Sequence, residues 1–317
     1  MSDPSRPSES TSIETTASST SLLAVKNFRV SYPGPLTWAV DDVSLSLQPG
    51  EKLGLVGESG CGKSTLGRAA MRLLPKGSRI EGQATFEGRS IVDFSPAELR
   101  KFRGEAVSLV FQDPMTRLDP LMTIGDHCLE TLLAHRPELD SKKAKEIAIA
   151  TLESVNIPAE RWRQYPHEFS GGMRQRVAIA LALVLDPKLI VADEPTTSLD
   201  VTVSAKILDM LTELCAERNM GLILISHDLA LVSEYCDRIA VMYKGSLVEF
   251  GSTQDVFYNP QHEYTQSLLA AAHQLQSAGA QHSTDEQSEN APILKLENIT
   301  KHYTLEQSFL SKLFRQE

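Results

Sequence analysis

The sequence predicts an α/β fold interrupted by a block of helices, and three observations lead to that reading. An apolar stretch at 52–56 runs into a glycine-rich loop and then into a helix-forming segment at 66–71. Two short continuous apolar runs, 189–192 and 221–225, have the character of buried parallel strands and flank a helical pattern over 202–218. Between these strand regions the apolar spacing turns helical over 124–134, 141–155 and 172–185.

The elements follow in order. Residues 1–21 are nearly all Ser, Thr, Pro and acidic side chains and predict a disordered tail. They have neither the apolar centre of a secretory signal nor the Arg-rich character of a transit peptide. Residues 22–32 and 38–47 alternate apolar and polar side chains, as half-buried strands do. The turn Gln48-Pro49-Gly50-Glu51 leads into the strand before the glycine loop. Residues 80–86 with Glu87-Gly88-Arg89 predict a further strand and turn, and 107–111 a short buried strand. Residues 273–291 become polar and small and predict a flexible linker. After it, 293–303 repeats 22–32, with Asn298 on Asn27 and Tyr303 on Tyr32 in register. Residues 292–317 therefore predict the start of a second, truncated copy of the domain.

Composition excludes several classes. Of 317 residues, 41% are hydrophobic and 23% charged, which is ordinary for a globular protein. The net charge of -10 argues against a nucleic-acid partner bound by phosphate neutralisation. No apolar run approaches the roughly 20 residues that cross a bilayer. Cys61, Cys128, Cys215 and Cys236 have no spacing that suggests zinc, an iron–sulfur centre or a disulfide framework, so reduced thiols are expected.

The loop Gly57-Glu58-Ser59-Gly60-Cys61-Gly62-Lys63-Ser64-Thr65 fits G-x-x-x-x-G-K-[ST]. Gly60 and Gly62 allow the backbone to wrap an anion, with its N–H groups pointing inward beside the positive end of the next helix. Lys63 adds a charge for the β and γ phosphates, and the Ser64 hydroxyl suits Mg²⁺. A nucleoside triphosphate is the expected ligand. Cys61 lies in the loop as a small residue at a tolerant position, with oxidation that blocks nucleotide as the less favoured reading.

Asp193 and Glu194 end the buried strand at 189–192, where an open α/β sheet meets its ligand. Asp193 is expected to hold Mg²⁺ and Glu194 to polarise the water that attacks the γ-phosphate. Ser170, Gly171 and Gly172 precede a long helix and form a second anion-receptive helix start. Gln112 and His227 follow two other buried strands, within reach of a γ-phosphate.

Together these residues resemble the ATP-binding cassette of ABC transporters over 22–272. The resemblance implies an α/β P-loop NTPase (RecA-like) core, an antiparallel β subdomain and an inserted helical subdomain at about 113–183. It implies ATP and Mg²⁺ as cofactors, with Gly57 to Thr65 as Walker A and Tyr32 stacking on adenine. Ser64, Gln112 and Asp193 are the implied Mg²⁺ ligands, and Glu194, Gln112 and His227 the implied catalytic residues. Ser170, Gly171 and Gly172 belong to the signature motif that meets the opposite ATP, and Asp200 to the D-loop. The signature carries Phe169 and Met173 where Leu and Gln are commoner. Ser-Gly-Gly-Met-Arg-Gln-Arg at 170–176, the segment 111–120 and Asn259 to Leu269 resemble the oligopeptide, dipeptide and nickel importers. That subfamily implies an ATPase energising peptide import from the cytoplasmic face of the inner membrane. It also implies a second cassette, two transmembrane permease subunits and, indirectly, a solute-binding protein. Residues 113–132 are expected to supply part of the permease-docking groove. The alternative is a soluble twin-cassette ATPase acting on ribosomes or nucleic acid, against which the acidic charge and residues 259–269 count.

Overall fold

The computed structural model describes residues 21–34, 37–113, 117–197 and 199–280. The chain divides into two units, Met1–Gln274 and Leu275–Glu317. The expected tail up to residue 20 and the expected repeat over 292–317 lie outside the described residues.

In the first unit, β1 (Leu23–Ser31) lies between β2 (Trp38–Leu47) and β4 (Arg79–Phe86), and the two-residue β5 (Arg89–Ser90) edges β4. All pairings in this sheet are antiparallel. Asn27 and Asp42 sit at irregular points of the β1–β2 ladder with φ of 48° and 54°. The Asn27 side-chain amide donates to Asp42 Oδ1 at 2.9 Å, and its backbone N–H donates to Ser44 Oγ at 2.8 Å. Asn and Asp tolerate this left-handed conformation because their short polar side chains bond locally.

The second sheet comprises β3 (Lys52–Val56), β6 (Val107–Val110), β7 (Leu189–Asp193), β8 (Gly221–Ser226), β9 (Arg238–Tyr243) and β10 (Ser246–Ser252). Its order is β10-β9-β3-β8-β7-β6, parallel throughout except for β10. Its central parallel strands β7 and β8 are buried along their whole length because both faces are covered. Leu189 and Val191, Ile223 and Ile225, Ala240 and Met242 face a core shared with β1 and β2 and with α1 (Lys63–Ala70). Ile190 and Ala192, Leu222 and Leu224, Ile239 and Val241 face the opposite core. Each of the Leu, Ile, Val and Met side chains among them contributes about 1.5–3 kcal/mol when fully buried.

That second core includes α3 (Ile124–His135), α4 (Ser141–Ser154) and α5 (Gly171–Leu183), the inserted block. α6 (Val201–Glu217) and α7 (Leu229–Tyr235) complete it from the strand crossovers. The short α2 (Pro96–Lys101) precedes β6, and α8 (Thr253–Tyr258) and α9 (Glu263–Ala280) follow β10. Two expectations change. The helix expected to end at 185 ends at Leu183. The linker expected from 273 begins no earlier than 281, because α9 continues through a run of good helix formers, Ala, Leu and Gln.

Candidate active site

Every residue that the sequence places at a strand tip is on one edge of the parallel sheet. Val56 pairs with Ser226, Asp193 with Ile225, and Val110 with Ala192. One or two residues beyond these pairs stand Gly57, His227, Glu194 and Gln112. Register alone therefore sets the glycine loop, the carboxylates, the histidine and the glutamine in a row at the C-terminal ends of the strands.

The loop is closely braced. Gly57 and Gly62 have φ of 149° and 107°, and a β-carbon on either would collide with a backbone carbonyl, of Met242 and Ala39 respectively. The Lys63 ammonium, 4% exposed, donates to the Gly57 carbonyl at 2.7 Å and the Glu58 carbonyl at 2.9 Å. Ser59 and Gly60 are exposed at the loop crest. Tyr32 comes from the end of β1 to the start of α1, its hydroxyl 3.1 Å from Thr65 Oγ1 and its ring 39% exposed. Cys61 is buried, and burial pushes its thiol pKa up while the Lys63 charge opposes the shift. A thiol held protonated is a poor nucleophile, which favours the structural reading of Cys61 over an oxidation switch.

Ser64 Oγ donates to Asp193 Oδ1 at 2.6 Å, and Arg68 Nη2 lies 3.2 Å from Asp193 Oδ2. Asp193 is 2% exposed, so its charge needs both partners. A hydroxyl and a carboxylate oxygen in contact are hard oxygen donors of the kind that would hold Mg²⁺. Among the described residues no cluster of three His, Cys, Asp or Glu side chains forms a self-sufficient metal cage.

Glu194 is the second centre. Its Oε2 accepts from Gln112 Nε2 at 3.1 Å and Thr197 Oγ1 at 2.8 Å, and lies 3.6 Å from His227 Nδ1. The Glu194 backbone has φ of 48°, a conformation that costs about 1–3 kcal/mol in a non-glycine residue and clusters at active sites. Gln112 therefore reaches Glu194 here, while Ser64 and Asp193 are the oxygen pair in direct contact. Sequence reading missed Thr197 and Arg68. The hydroxyl run Thr196-Thr197-Ser198 after Glu194-Pro195 was the available signal for the first, and helical i+4 spacing from Ser64 for the second.

Helix starts separate anion sites from ordinary caps. Ser95, Thr123, Asp140, Asp200, Asp228 and Ser252 each cap their helix through a side-chain oxygen. α1 and α5 begin at Gly62 and Ser170 without such a bond. Their first N–H groups have no side-chain cap, and these are the two helix starts at which the sequence leads one to expect a phosphate. Ser170 and Gly171 are exposed, and Gly172 is half-buried against Val203. The unusual Phe169 is buried beneath Arg161, whose guanidinium lies 5.5 Å from the ring centroid and 3.6 Å from Met173 Sδ. Both departures from the commoner signature are thus packing residues. Asp200 accepts from Val203 N–H at 2.9 Å and acts as the N-cap of α6.

Comparisons with known proteins show the family. The ABC transporter family model matches residues 40–197. The oligopeptide transport ATP-binding protein OppD of Escherichia coli is 48% identical over 81% of this chain and 77% of its own length. The dipeptide transport ATP-binding protein DppD of Bacillus subtilis is 44% identical over 82% and 79%. A dimeric post-hydrolysis state of the ATP-binding cassette MJ0796, bound to ADP and Pi, superposes with a TM-score of 0.64 at 27% identity, covering 73% of this chain and 98% of that one. With its phosphate loop, paired carboxylates and open helix starts, the chain belongs to the ABC transporter family, as an ATP-binding cassette.

Proposed function

We propose that this chain is the ATP-hydrolysing subunit of an importer for peptides or a closely related small solute. The convergence of Gln112, Thr197 and His227 on one Glu194 carboxylate, beside a complete phosphate loop, carries the hydrolytic reading. The names of OppD and DppD support the solute class.

The loop N–H groups and Lys63 bind the triphosphate, and Tyr32 lies against the base. Ser64 and Asp193 hold Mg²⁺, which when bound neutralises phosphate charge. Glu194 accepts a hydrogen bond from the attacking water and takes up its proton, while Gln112, Thr197 and His227 fix the carboxylate's orientation. The open start of α5, with Ser170, Gly171 and Gly172, donates to a γ-phosphate held by a second cassette. Two chains, or this chain and a similar one, then close around two nucleotides, as the dimeric form of the structural relative suggests. Binding favours closure because the added contacts exist only in the closed pair.

Among the described residues no helix is long and apolar enough to cross a membrane. The likeness to ATP-binding proteins of peptide transport supports permease subunits as partners and a place at the cytoplasmic membrane face. Arg117 and Leu118, from the segment expected to dock a permease, line a groove of about 270 Å³ together with Leu73, Phe111 and Leu181, and this groove is the proposed point of contact for an apolar side chain of such a subunit. Leu121, in the same expected docking segment, is 84% exposed. In vesicles carrying the assembled transporter, MgATP should drive peptide uptake, and Lys63→Ala should abolish both ATP binding and uptake. Absence of any MgATP affinity in the wild-type chain would refute the proposal.

A further inference from the structure

The segment at 259–269 lies outside the phosphate loop, the strand tips and the helix starts, yet it reaches the loop. Glu249 on β10 anchors its beginning, accepting from Gln261 N–H at 2.7 Å and His262 N–H at 3.2 Å. His262 Nδ1 then accepts from Tyr264 N–H at 3.1 Å. These bonds fix the first turn of α9 against the sheet. From it the Tyr264 ring, 8% exposed, packs on Tyr243 with centroids 4.3 Å apart. Its phenol oxygen accepts from the Glu58 backbone N–H at 2.9 Å, across 206 residues of sequence.

That bond holds one end of the Gly57–Glu58 peptide. The other end, the Gly57 carbonyl, accepts from the Lys63 ammonium at 2.7 Å. In a trans peptide the N–H and C=O point in opposite directions, so a partner on one fixes the aim of the other. Gly57 gives this peptide freedom to rotate that no other residue would, and its φ of 149° already lies in glycine's own region. The Tyr264 hydroxyl supplies a tether at that peptide. From these contacts we infer that Tyr264 is a positioning residue for the phosphate loop: its hydroxyl sets the Gly57–Glu58 peptide so that the Gly57 carbonyl holds Lys63 ready for the β and γ phosphates. The inference rests on the nucleotide-binding reading above and adds a residue from the C-terminal helix to it. It also gives a physical task to the segment that resembles the peptide importers.

The test is Tyr264→Phe in the full chain, which deletes one oxygen and keeps the ring on Tyr243. MgATP affinity is measured by calorimetry, and ATP turnover in the assembled transporter. One lost hydrogen bond predicts a Kd and KM for ATP raised roughly 2–10-fold, with kcat nearly unchanged. Amide exchange in a peptide covering 57–60 should quicken, while exchange in β1 and β2 stays as in the wild type. A lower melting temperature with unaltered Kd, KM and loop exchange would overturn the inference, because Tyr264 would then only stabilise the fold. Tyr264→Leu, which also removes the ring contact, should weaken MgATP binding further; binding equal to wild type would again overturn it. A wild-type chain that fails to bind MgATP would sink the nucleotide reading itself, whereas wild-type binding with an indifferent Tyr264→Phe sinks this inference alone.

Discussion

Replacing Glu194 with Gln separates chemistry from architecture at this site. The carboxylate receives two hydrogen bonds on Oε2, from Gln112 and Thr197. A glutamine keeps an oxygen to accept one or both, so folding should change by no more than the worth of one hydrogen bond, about 0.5–1.5 kcal/mol. In the proposed mechanism, what the substitution removes is the proton acceptor for the attacking water. Loss of a general base lowers turnover roughly 10²–10⁴-fold. At 1.36 kcal/mol per tenfold, that is about 3–5 kcal/mol of transition-state stabilisation. The barrier effect thus exceeds the stability effect several-fold, and the two are measured apart. Phosphate release from the assembled transporter gives turnover, a melting curve gives stability, and calorimetry gives MgATP affinity. The expected result is near-zero phosphate release with native melting, retained affinity and accumulation of closed dimers. Wild-type phosphate release from Glu194→Gln would remove Glu194 from the role of base.

Further tests follow from the loop and the helix starts. Gly62→Ala should destabilise the chain by at least about 1–2 kcal/mol, because the backbone there is left-handed and the new β-carbon meets the Ala39 carbonyl; an unshifted urea midpoint would refute this. Asp200→Ala removes the cap of α6 and should cost about 0.5–2 kcal/mol in a melting experiment. Ser170→Ala, at a helix start without a side-chain cap, should cost much less stability yet lower ATP turnover in the assembled transporter; the reverse ranking would undo the distinction between caps and anion sites. Burial raises the thiol pKa of all four cysteines, to about 12 for Cys128, Cys215 and Cys236. A raised pKa means less thiolate at a given pH, so iodoacetamide should label the folded chain slowly near the ordinary thiol pKa of about 8.5 and the urea-unfolded chain quickly. Equal rates would contradict the burial.

Much of this protein was written in local pattern. The loop from Gly57 to Thr65 is contiguous, and its chemistry needs no distant partner to be recognised. Apolar runs and helical spacing marked β3, β6, β7, β8 and the inserted helices, since burial on both faces or on one stripe leaves a direct trace in residue order. The turn at Glu87-Gly88 was legible through Gly88, which takes its positive φ without the cost a side chain would bring. The equivalent turn at Lys244-Gly245 and its strands β9 and β10 were missed; β10 is half-buried along its length and carries no clean alternation.

Residue order by itself therefore determined the phosphate chemistry, the α/β core and the identities of Asp193, Glu194, Gln112 and His227. Only the tertiary structure decided which of them meet. Parallel register put four strand tips in one row, so that Thr197 and Gln112 share the Glu194 oxygen and Arg68 supports Asp193. It also decided that Tyr264, distant in sequence, ends against Glu58. Contacts of this kind depend on how strands are ordered and paired, a long-range outcome of burying two faces of one sheet that no local pattern encodes.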